Sequence, residues 1–184
     1  MDLDELRRGL ARHQASEVRA EKQAAVAAVV RPTPEGLSAL FIKRAEVEGD
    51  PWSGHMAFPG GRHEPHDEDL LETAVRETRE ELGLSLTGAT LLGRLDDLQT
   101  HRKGLMVRPY VFALDAEPAL VPNREVAKTL WSPLGPLRSG ERDASYLFER
   151  EGKRFEFPAY DVRGQLVWGL TYRMLRSLFR LTPR

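Results

Sequence analysis

The stretch that organises the chain is FPGGRHEPHDEDLLETAVRETREELGL, residues 58–84. It opens on a tight turn at Gly60 and Gly61 and continues into a predicted helix. Carboxylates stand at Glu77, Glu80 and Glu81, and this i, i+3, i+4 spacing makes them neighbours on one helix face. The stretch therefore predicts a glycine turn followed by a helix with an acidic face.

The ends and sides of this helix can be predicted from the same residues. Asp67 can cap its N-terminus, the helix is expected over about residues 68–82, and Gly83 suits a left-handed stop. At about 100° per residue, the three carboxylates share a sector about 100° wide. The other sectors are an apolar side with Leu71, Val75, Thr78 and Leu82, and a basic flank with Arg76 and Arg79.

The acidic face has two interpretations. Like charges at i, i+4 destabilise a helix by roughly 0.2–0.5 kcal/mol per pair, so a cation that neutralises them would explain the cluster. Hard cations such as Mg²⁺ prefer carboxylate oxygens and leave coordination positions for substrate phosphates. The simpler interpretation is a solvated acidic surface, and the helix alone leaves both open.

From residue 61 to residue 84 the sequence resembles the Nudix box, G-x5-E-x7-R-E-U-x-E-E-x-G-U, in which U is aliphatic. The matching positions are Arg76, Glu77, Glu80, Glu81, Gly83 and Leu84. Thr78 occupies an aliphatic position. The upstream acid is Asp67 if the spacing is counted from Gly61, and Glu68 if it is counted back from Arg76.

The residues before the box resemble the coenzyme A diphosphatase branch of that family, whose signature is similar to L-L-T-x-R-S-x3-R-x3-G-x3-F-P-G-G. The positions that fit are Leu40, Arg44, Gly54, Phe58, Pro59, Gly60 and Gly61. Ala45 replaces the serine, the second arginine is missing, and there is one extra residue. The segment WGLT at residues 168–171 also resembles this branch, although Trp168 by itself is expected to pack in the core.

The resemblance implies metal-dependent hydrolysis of a diphosphate linkage in a nucleoside diphosphate derivative, with Mg²⁺ or Mn²⁺ as the cofactor. Coenzyme A or an acyl-coenzyme A is the preferred substrate, which would give 3',5'-ADP and a phosphopantetheine. Hydrolysis of ADP-ribose, NADH or dinucleoside polyphosphates is the alternative within the enzymes. A catalytically silent nucleotide-binding regulator is the alternative of another class.

The resemblance also implies roles for individual residues. The metal ligands would be Glu77, Glu80 and Glu81 with the carbonyl of Gly61, and Arg76 would orient a glutamate. Glu77 and Glu80, together with Arg76 and Glu125, form the candidate catalytic set; Glu125 could equally be a surface acid. The candidate substrate-binding residues are Arg44, Trp52, Arg62, His101, Arg102 and Lys103, with structural packing as the alternative for Trp52 and a solvated turn for residues 101–103.

Composition limits the class of protein. The chain has 184 residues, of which 41% are hydrophobic and 30% charged, which is typical of a soluble globular domain. A formal net charge of -1 argues against a nucleic-acid-binding protein, so the expected partner is a small nucleotide. We find no secretory signal, no cysteine and no apolar run of the ~20 residues needed to cross a bilayer. A cytoplasmic protein is therefore expected, and a homodimer is one option.

The remaining pattern predicts the fold class. Residues 1–22 are expected to form an N-terminal helical arm, and residues 23–184 a single domain. A hairpin is predicted for residues 24–30 and 37–43, further strands for residues 90–95, 106–114 and 126–131, a second hairpin for residues 145–157, and a C-terminal helix for residues 168–180. Mixed helices and hairpins favour an α/β layered fold, and the resemblance implies a Nudix-type α/β/α sandwich with a mixed β-sheet.

Overall fold

The structure is a computed structural model that describes residues 1–49, 53–100, 104–150 and 152–182. Its helices are α1 (Leu3–Arg12), α2 (Leu70–Leu82), α3 (Leu134–Ser139) and α4 (Gly169–Arg180). Its strands are β1 (Lys22–Thr33), β2 (Gly36–Arg44), β3 (Met56–Ala57), β4 (Gly60–Arg62), β5 (Thr90–Arg94), β6 (Leu98–Gln99), β7 (Leu105–Ala113), β8 (Val126–Pro133), β9 (Asp143–Arg150), β10 (Lys153–Val162) and β11 (Gln165–Trp168). None of the helices in the described ranges is long and apolar enough to cross a membrane.

A mixed sheet forms the centre of the fold. Its strand order is β3-β2-β1-β7-β5, with β4 added to β1, β6 to β7 and β8 to β2. The central pair β1 and β7 is parallel, from Lys22 opposite Leu105 to Val30 opposite Ala113, and the other pairs are antiparallel. The predicted hairpin of β1 and β2 is confirmed, with its turn at residues 34 and 35.

Strand β1 is buried on both faces, which explains its continuous apolar sequence. Ala25, Ala27 and Val29 belong to one apolar cluster, which also contains Leu70, Ala74 and Leu82 of α2. Ala24, Ala28 and Val30 belong to a second cluster, which also contains Leu6 of α1 and Met174, Leu175 and Leu178 of α4. Helices therefore cover both faces of the sheet, and the predicted α/β/α sandwich is confirmed.

A second, three-stranded sheet follows in the order β11-β10-β9 and is antiparallel throughout. Strand β11 was not predicted. It is joined to β10 by the two-residue turn Arg163-Gly164, and both residues have positive φ, 52° and 79°. This is the conformation of a type I′ hairpin turn, for which the dipeptide Arg-Gly is a weak sequence signal.

The glutamate helix differs from its prediction at its beginning. Helix α2 starts at Leu70 and is capped by Asp69, whose side chain accepts a hydrogen bond from the Glu72 N–H at 2.8 Å. The prediction of Asp67 as the cap is therefore wrong. The predicted stop is confirmed, because Gly83 has a φ of 64°.

The exposure of the side chains on α2 also differs from the prediction. Arg76, predicted on a basic flank, is only 8% exposed, and Glu81 of the acidic face is only 2% exposed. Leu71 and Val75 of the predicted apolar side are half-buried. The buried face of this helix therefore includes two ionisable side chains.

Candidate active site at the glutamate helix

Strand β4 brings the glycine turn against the glutamate helix. Gly60 has a φ of 147°, and a Cβ there would lie 2.5 Å from the Cα of Val26 on β1. A Cβ on Gly61 would lie 2.6 Å from Oε2 of Glu77 on α2. Only glycine leaves room for the backbone to approach both elements so closely. The Gly-Gly pair is therefore the point at which sheet and helix meet around a carboxylate.

Arg76 connects the segment before α2 to the glutamates of the helix. Its Nε and Nη2 donate to Oδ1 and Oδ2 of Asp67 at 2.7 and 3.0 Å, and Nη2 also donates to the Arg62 carbonyl at 3.0 Å. Its Nη1 donates to Oε1 of Glu77 at 3.1 Å and to Oε2 of Glu80 at 3.2 Å. The expected contact between Arg76 and a glutamate is present, and it reaches two of them.

The contacts of Arg76 also show which of the two upstream acids, Asp67 or Glu68, it binds. The side chain of Asp67 is fully buried and also accepts from the Thr73 hydroxyl at 2.8 Å and the Glu64 N–H at 3.0 Å. The hydrogen bond from Arg76 is the largest of the effects that hold the pKa of Asp67 well below its usual range. Glu68 is exposed. Asp67, counted forward from Gly61, is thus the acid that fixes Arg76.

The three glutamates have different environments. Glu81 is buried and its Oε2 accepts from the Gly60 N–H at 2.9 Å. Burial, with the nearby charges of Glu77 and Glu125, raises the pKa of Glu81 to about 8, against the opposing effect of that N–H and of Arg44. Burial also raises the pKa of Glu77. The side chain of Glu80 is 51% exposed.

Glu125 lies close enough to the helix for its charge to raise the pKa of both Glu77 and Glu81. The loop that carries it is fixed at two points. Its own carbonyl accepts from the Ala45 N–H at 2.8 Å, and the N–H of Asn123 donates to the Glu81 carbonyl at 2.8 Å. The structure therefore brings this distant candidate to the glutamate helix, and its catalytic role stays a prediction.

The carboxylate set has the chemistry of a hard-cation site. Among the described residues, no three acidic or imidazole groups converge as a ready ligand cluster. The cause is visible in the contacts, because Arg76 holds Glu80 and the Gly60 N–H holds Glu81. Two carboxylates with raised pKa, beside a backbone that only glycine allows, still fit a divalent cation, which would relieve the cost of their charges. Glu77, Glu80 and Glu81, with the Gly61 carbonyl, remain the predicted ligands.

A cavity of about 400 Å³ opens beside β4. Arg44 and Arg62, both predicted to bind substrate, line it. The other predicted substrate contacts, Trp52, His101, Arg102 and Lys103, lie outside the described residues. Several lining residues were not predicted as site residues: Val26, His55, Met56, Phe58, Thr100, Leu105, Val107, Trp168, Leu170, Thr171 and Met174.

One wall of the cavity is aromatic. Trp168 stacks on Tyr146 with ring centroids 3.9 Å apart and planes 10° from parallel, and His55 meets Trp168 edge-on at 4.8 Å. Trp168 is half-buried and lines the cavity, so the expectation that it packs in the core is wrong. The available sequence signal was its place in residues 168–171, which resemble the coenzyme A diphosphatase branch.

The fold and the site together define an α/β/α domain with a glutamate-rich helix beside a cavity of about 400 Å³. The chain belongs to the Nudix hydrolase family, because the family model described as the NUDIX domain matches residues 21–150. Members of this family act on nucleoside diphosphate derivatives and generally use divalent metal ions.

Individual proteins agree with this assignment. A protein of Pectobacterium atrosepticum, named uncharacterized Nudix hydrolase NudL, is 31% identical over 164 residues, which cover 88% of this chain and 83% of that protein. A MutT/nudix family protein from Enterococcus faecalis has a TM-score of 0.58 at 16% identity, covering 98% of this chain and 70% of its own. The C. elegans Ap4A hydrolase has a TM-score of 0.52 at 20% identity, covering 64% and 84%. The two structural matches show a shared fold.

Proposed function

We propose that this hydrolase cleaves the diphosphate linkage of coenzyme A or an acyl-coenzyme A. The observation that carries the proposal is the position of the 400 Å³ cavity, which is lined by Gly60, Gly61 and Arg62 of the strand that contacts the glutamate helix. A diphosphate at the glycine turn would therefore have carboxylates on one side and a pocket for the attached group on the other.

We assign different roles to the residues around the cavity and on the glutamate helix. Arg44 and Arg62 line the cavity near the glycine turn and supply positive charge for the diphosphate. Arg76 acts by holding Glu77 and Glu80 in place, and its Nη2 also donates to the carbonyl of Arg62, which lines the cavity. Glu77, Glu80 and Glu81 would hold a divalent cation, which would supply charge neutralisation for the diphosphate and lower the pKa of a bound water. We place the general base among Glu77, Glu80 and Glu125.

The chemistry of the cavity favours an apolar group beyond the diphosphate. Its described lining contains no carboxylate or amide side chain, and its walls are mostly aliphatic and aromatic. The hydroxyl groups of a second ribose would find few partners there, because the polar side chains of the described lining are Arg44, His55, Arg62, Thr100 and Thr171, and each hydroxyl left without a partner costs free energy. A pantetheine arm or an acyl chain would bury apolar surface in the same place. This favours coenzyme A derivatives over ADP-ribose.

A substrate panel tests the proposal. Coenzyme A, a medium-chain acyl-coenzyme A, ADP-ribose, NADH and a dinucleoside polyphosphate are compared at equal concentration, each with Mg²⁺ and with Mn²⁺. We expect the highest kcat/KM for the coenzyme A compounds, with 3',5'-ADP as a product. A higher kcat/KM for ADP-ribose, NADH or the dinucleotide would overturn the substrate assignment.

A matched pair of variants ties the activity to this site. Glu80→Gln should lower kcat at least about 100-fold because it removes the charge of a predicted metal ligand and candidate general base. Glu68→Gln changes an exposed carboxylate just before the same helix and should retain wild-type activity. Nucleotide binding without turnover on the whole panel would instead favour the silent regulator.

A further inference from the structure

Strand β9 is an open edge of the second sheet. In the order β11-β10-β9, one side of β9 pairs with β10, and the described residues place no strand on its other side. The strand runs over eight residues, Asp143–Arg150. Every second backbone N–H and C=O of such an edge points away from its sheet and is available to another strand.

The side chains of this edge are apolar in its middle. Leu147 is 66% exposed and Phe148 is 38% exposed, and Phe155, opposite Phe148 on β10, is 43% exposed. The segment from residue 144 to residue 148, ASYLF, carries no charge, no proline and no glycine. Natural edge strands are usually protected by such residues or by a covering element. This edge therefore has the character of a pairing surface.

The edge of the large sheet behaves differently. Strand β5 is only five residues long, and helix α1 packs against it. The contact is close, because Leu10 lies 3.4 Å from the position that a Cβ on Gly93 would take. Helix α1 thus packs on a face of the sheet at β5, and among the described residues β9 is the longer of these two edge strands.

We propose that β9 pairs with β9 of a second copy of the chain, antiparallel and around a two-fold axis at Leu147. In this register Leu147 lies opposite Leu147 of the second copy, and Tyr146 lies opposite its Phe148. Ser145 then lies opposite Glu149, so no like charges meet among these pairs. Aliphatic and aromatic pairs of this kind are the ones that stabilise neighbouring strands.

The two neighbouring registers of the β9 pair bring less favourable side chains opposite each other. Residues that face each other across a ladder must lie on the same side of the sheet, so the axis can move only to the next whole residue. An axis at Tyr146 would place Asp143 opposite Glu149 and the exposed Leu147 opposite Ser145. An axis at Phe148 would place Leu147 opposite Glu149. The register at Leu147 alone pairs all three apolar residues with apolar partners.

The proposed pairing also extends a row that is already present in one chain. Within the sheet, Phe148 lies opposite Phe155 and Tyr146 lies opposite Phe157. With Tyr146 opposite Phe148 of the second copy, four aromatic side chains follow one another across four strands. The row is Phe155 and Phe148 of one copy, then Tyr146 and Phe157 of the other.

This row reaches the active-site cavity. Tyr146 stacks on Trp168, and Trp168 lines the cavity. Phe148 of the second copy would cover the edge of Tyr146 and hold the aromatic wall of the first copy's cavity. The interface itself does not depend on which substrate is cleaved.

The test is the molar mass in solution, measured by sedimentation equilibrium over a dilution series. Wild-type protein is expected at twice the chain mass of 20.8 kDa. Leu147→Lys should have the mass of one chain, because two like charges would meet on the axis. Leu91→Lys, at an exposed leucine on β5 at the edge of the other sheet, is the matched control and should keep the wild-type mass. Circular dichroism of each variant checks that the fold is retained.

A mixing experiment makes the test specific for the register. Leu147→Glu alone should also have the mass of one chain, and an equimolar mixture with Leu147→Lys should recover the mass of two, because opposite charges then face each other. Wild-type protein with the mass of one chain at every concentration would overturn the proposal. So would a Leu147→Lys variant that keeps the wild-type mass, or a mixture that does not recover it.

Discussion

Arg76 binds Asp67 through two hydrogen bonds of 2.7 and 3.0 Å across nine positions of sequence. The N–H groups of Nη1 reach Glu77 and Glu80. The loop before α2, the helix and two candidate metal ligands are therefore joined by one side chain. Because Asp67 is fully buried and Arg76 is nearly so, the pair is held away from competing water.

Removal of Asp67 should destabilise the fold. Asp67→Ala leaves the buried Arg76 charge without its main partner, and we expect a loss of about 3 kcal/mol in the free energy of unfolding. Urea denaturation measures it. Glu68→Ala, at the neighbouring exposed acid, should stay within about 0.5 kcal/mol of wild type. Equal losses in the two variants would contradict the structural difference between these acids.

The ion pair of Asp67 with Arg76 also predicts a dependence of stability on pH. Arg76 holds the folded-state pKa of Asp67 below its usual range, so the folded state binds the proton less tightly than the unfolded state. Its contribution is fully present above the unfolded pKa of about 3.9 and is lost as the pH falls toward the folded pKa. The difference in unfolding free energy between wild type and Asp67→Asn should therefore be constant from pH 8 to about pH 5 and shrink below about pH 4. A difference that stays constant at low pH would show that the carboxylate charge is not the cause.

The helix was predictable because its chemistry is local. The spacing of Glu77, Glu80 and Glu81 and the stop at Gly83 need only the geometry of one helix, and the hairpin of β1 and β2 needs only a turn between apolar runs. The cap was predicted at the wrong residue because Asp67 and Asp69 are equally good capping residues. The choice between them is made by Arg76, which binds Asp67 in the folded protein.

The cavity was less predictable because distant segments form it. Val26, Val107 and Met174 come from three elements, and only the register of the sheet and the docking of α4 bring them together. The stack of Tyr146 on Trp168 depends on two hairpins whose strand pairing is not encoded within either strand. Arg44 and Arg62, which line the cavity, were both predicted substrate contacts, and Arg44 was chosen through the resemblance and not through any local pattern.

At the glycine turn, we expect a substitution of Gly61 to lower activity much more than stability. A Cβ on Gly61 would overlap the carboxylate of Glu77, which is the mobile end of a side chain. Gly61→Ala should therefore cost only about 1 kcal/mol of stability, while displacing Glu77 and lowering kcat by about 100-fold. Gly88→Ala, where no atom lies within 4 Å of the new Cβ, is the matched control and should leave kcat unchanged. Wild-type kcat in Gly61→Ala would show that the position of Glu77 is not critical.

Cation binding can be measured without turnover through the thermal unfolding temperature. If Glu77, Glu80 and Glu81 hold a divalent cation, Mg²⁺ at ten times its Kd should stabilise the wild-type protein by about 1.4 kcal/mol and raise its Tm, and EDTA should reverse the rise. Glu81→Gln keeps an oxygen acceptor for the Gly60 N–H but removes the charge, so its Tm should respond far less to Mg²⁺. Glu68→Gln should respond like wild type. An unchanged response in Glu81→Gln would remove Glu81 from the ligand set and leave Glu77 and Glu80, the two glutamates that Arg76 holds, as the predicted ligands.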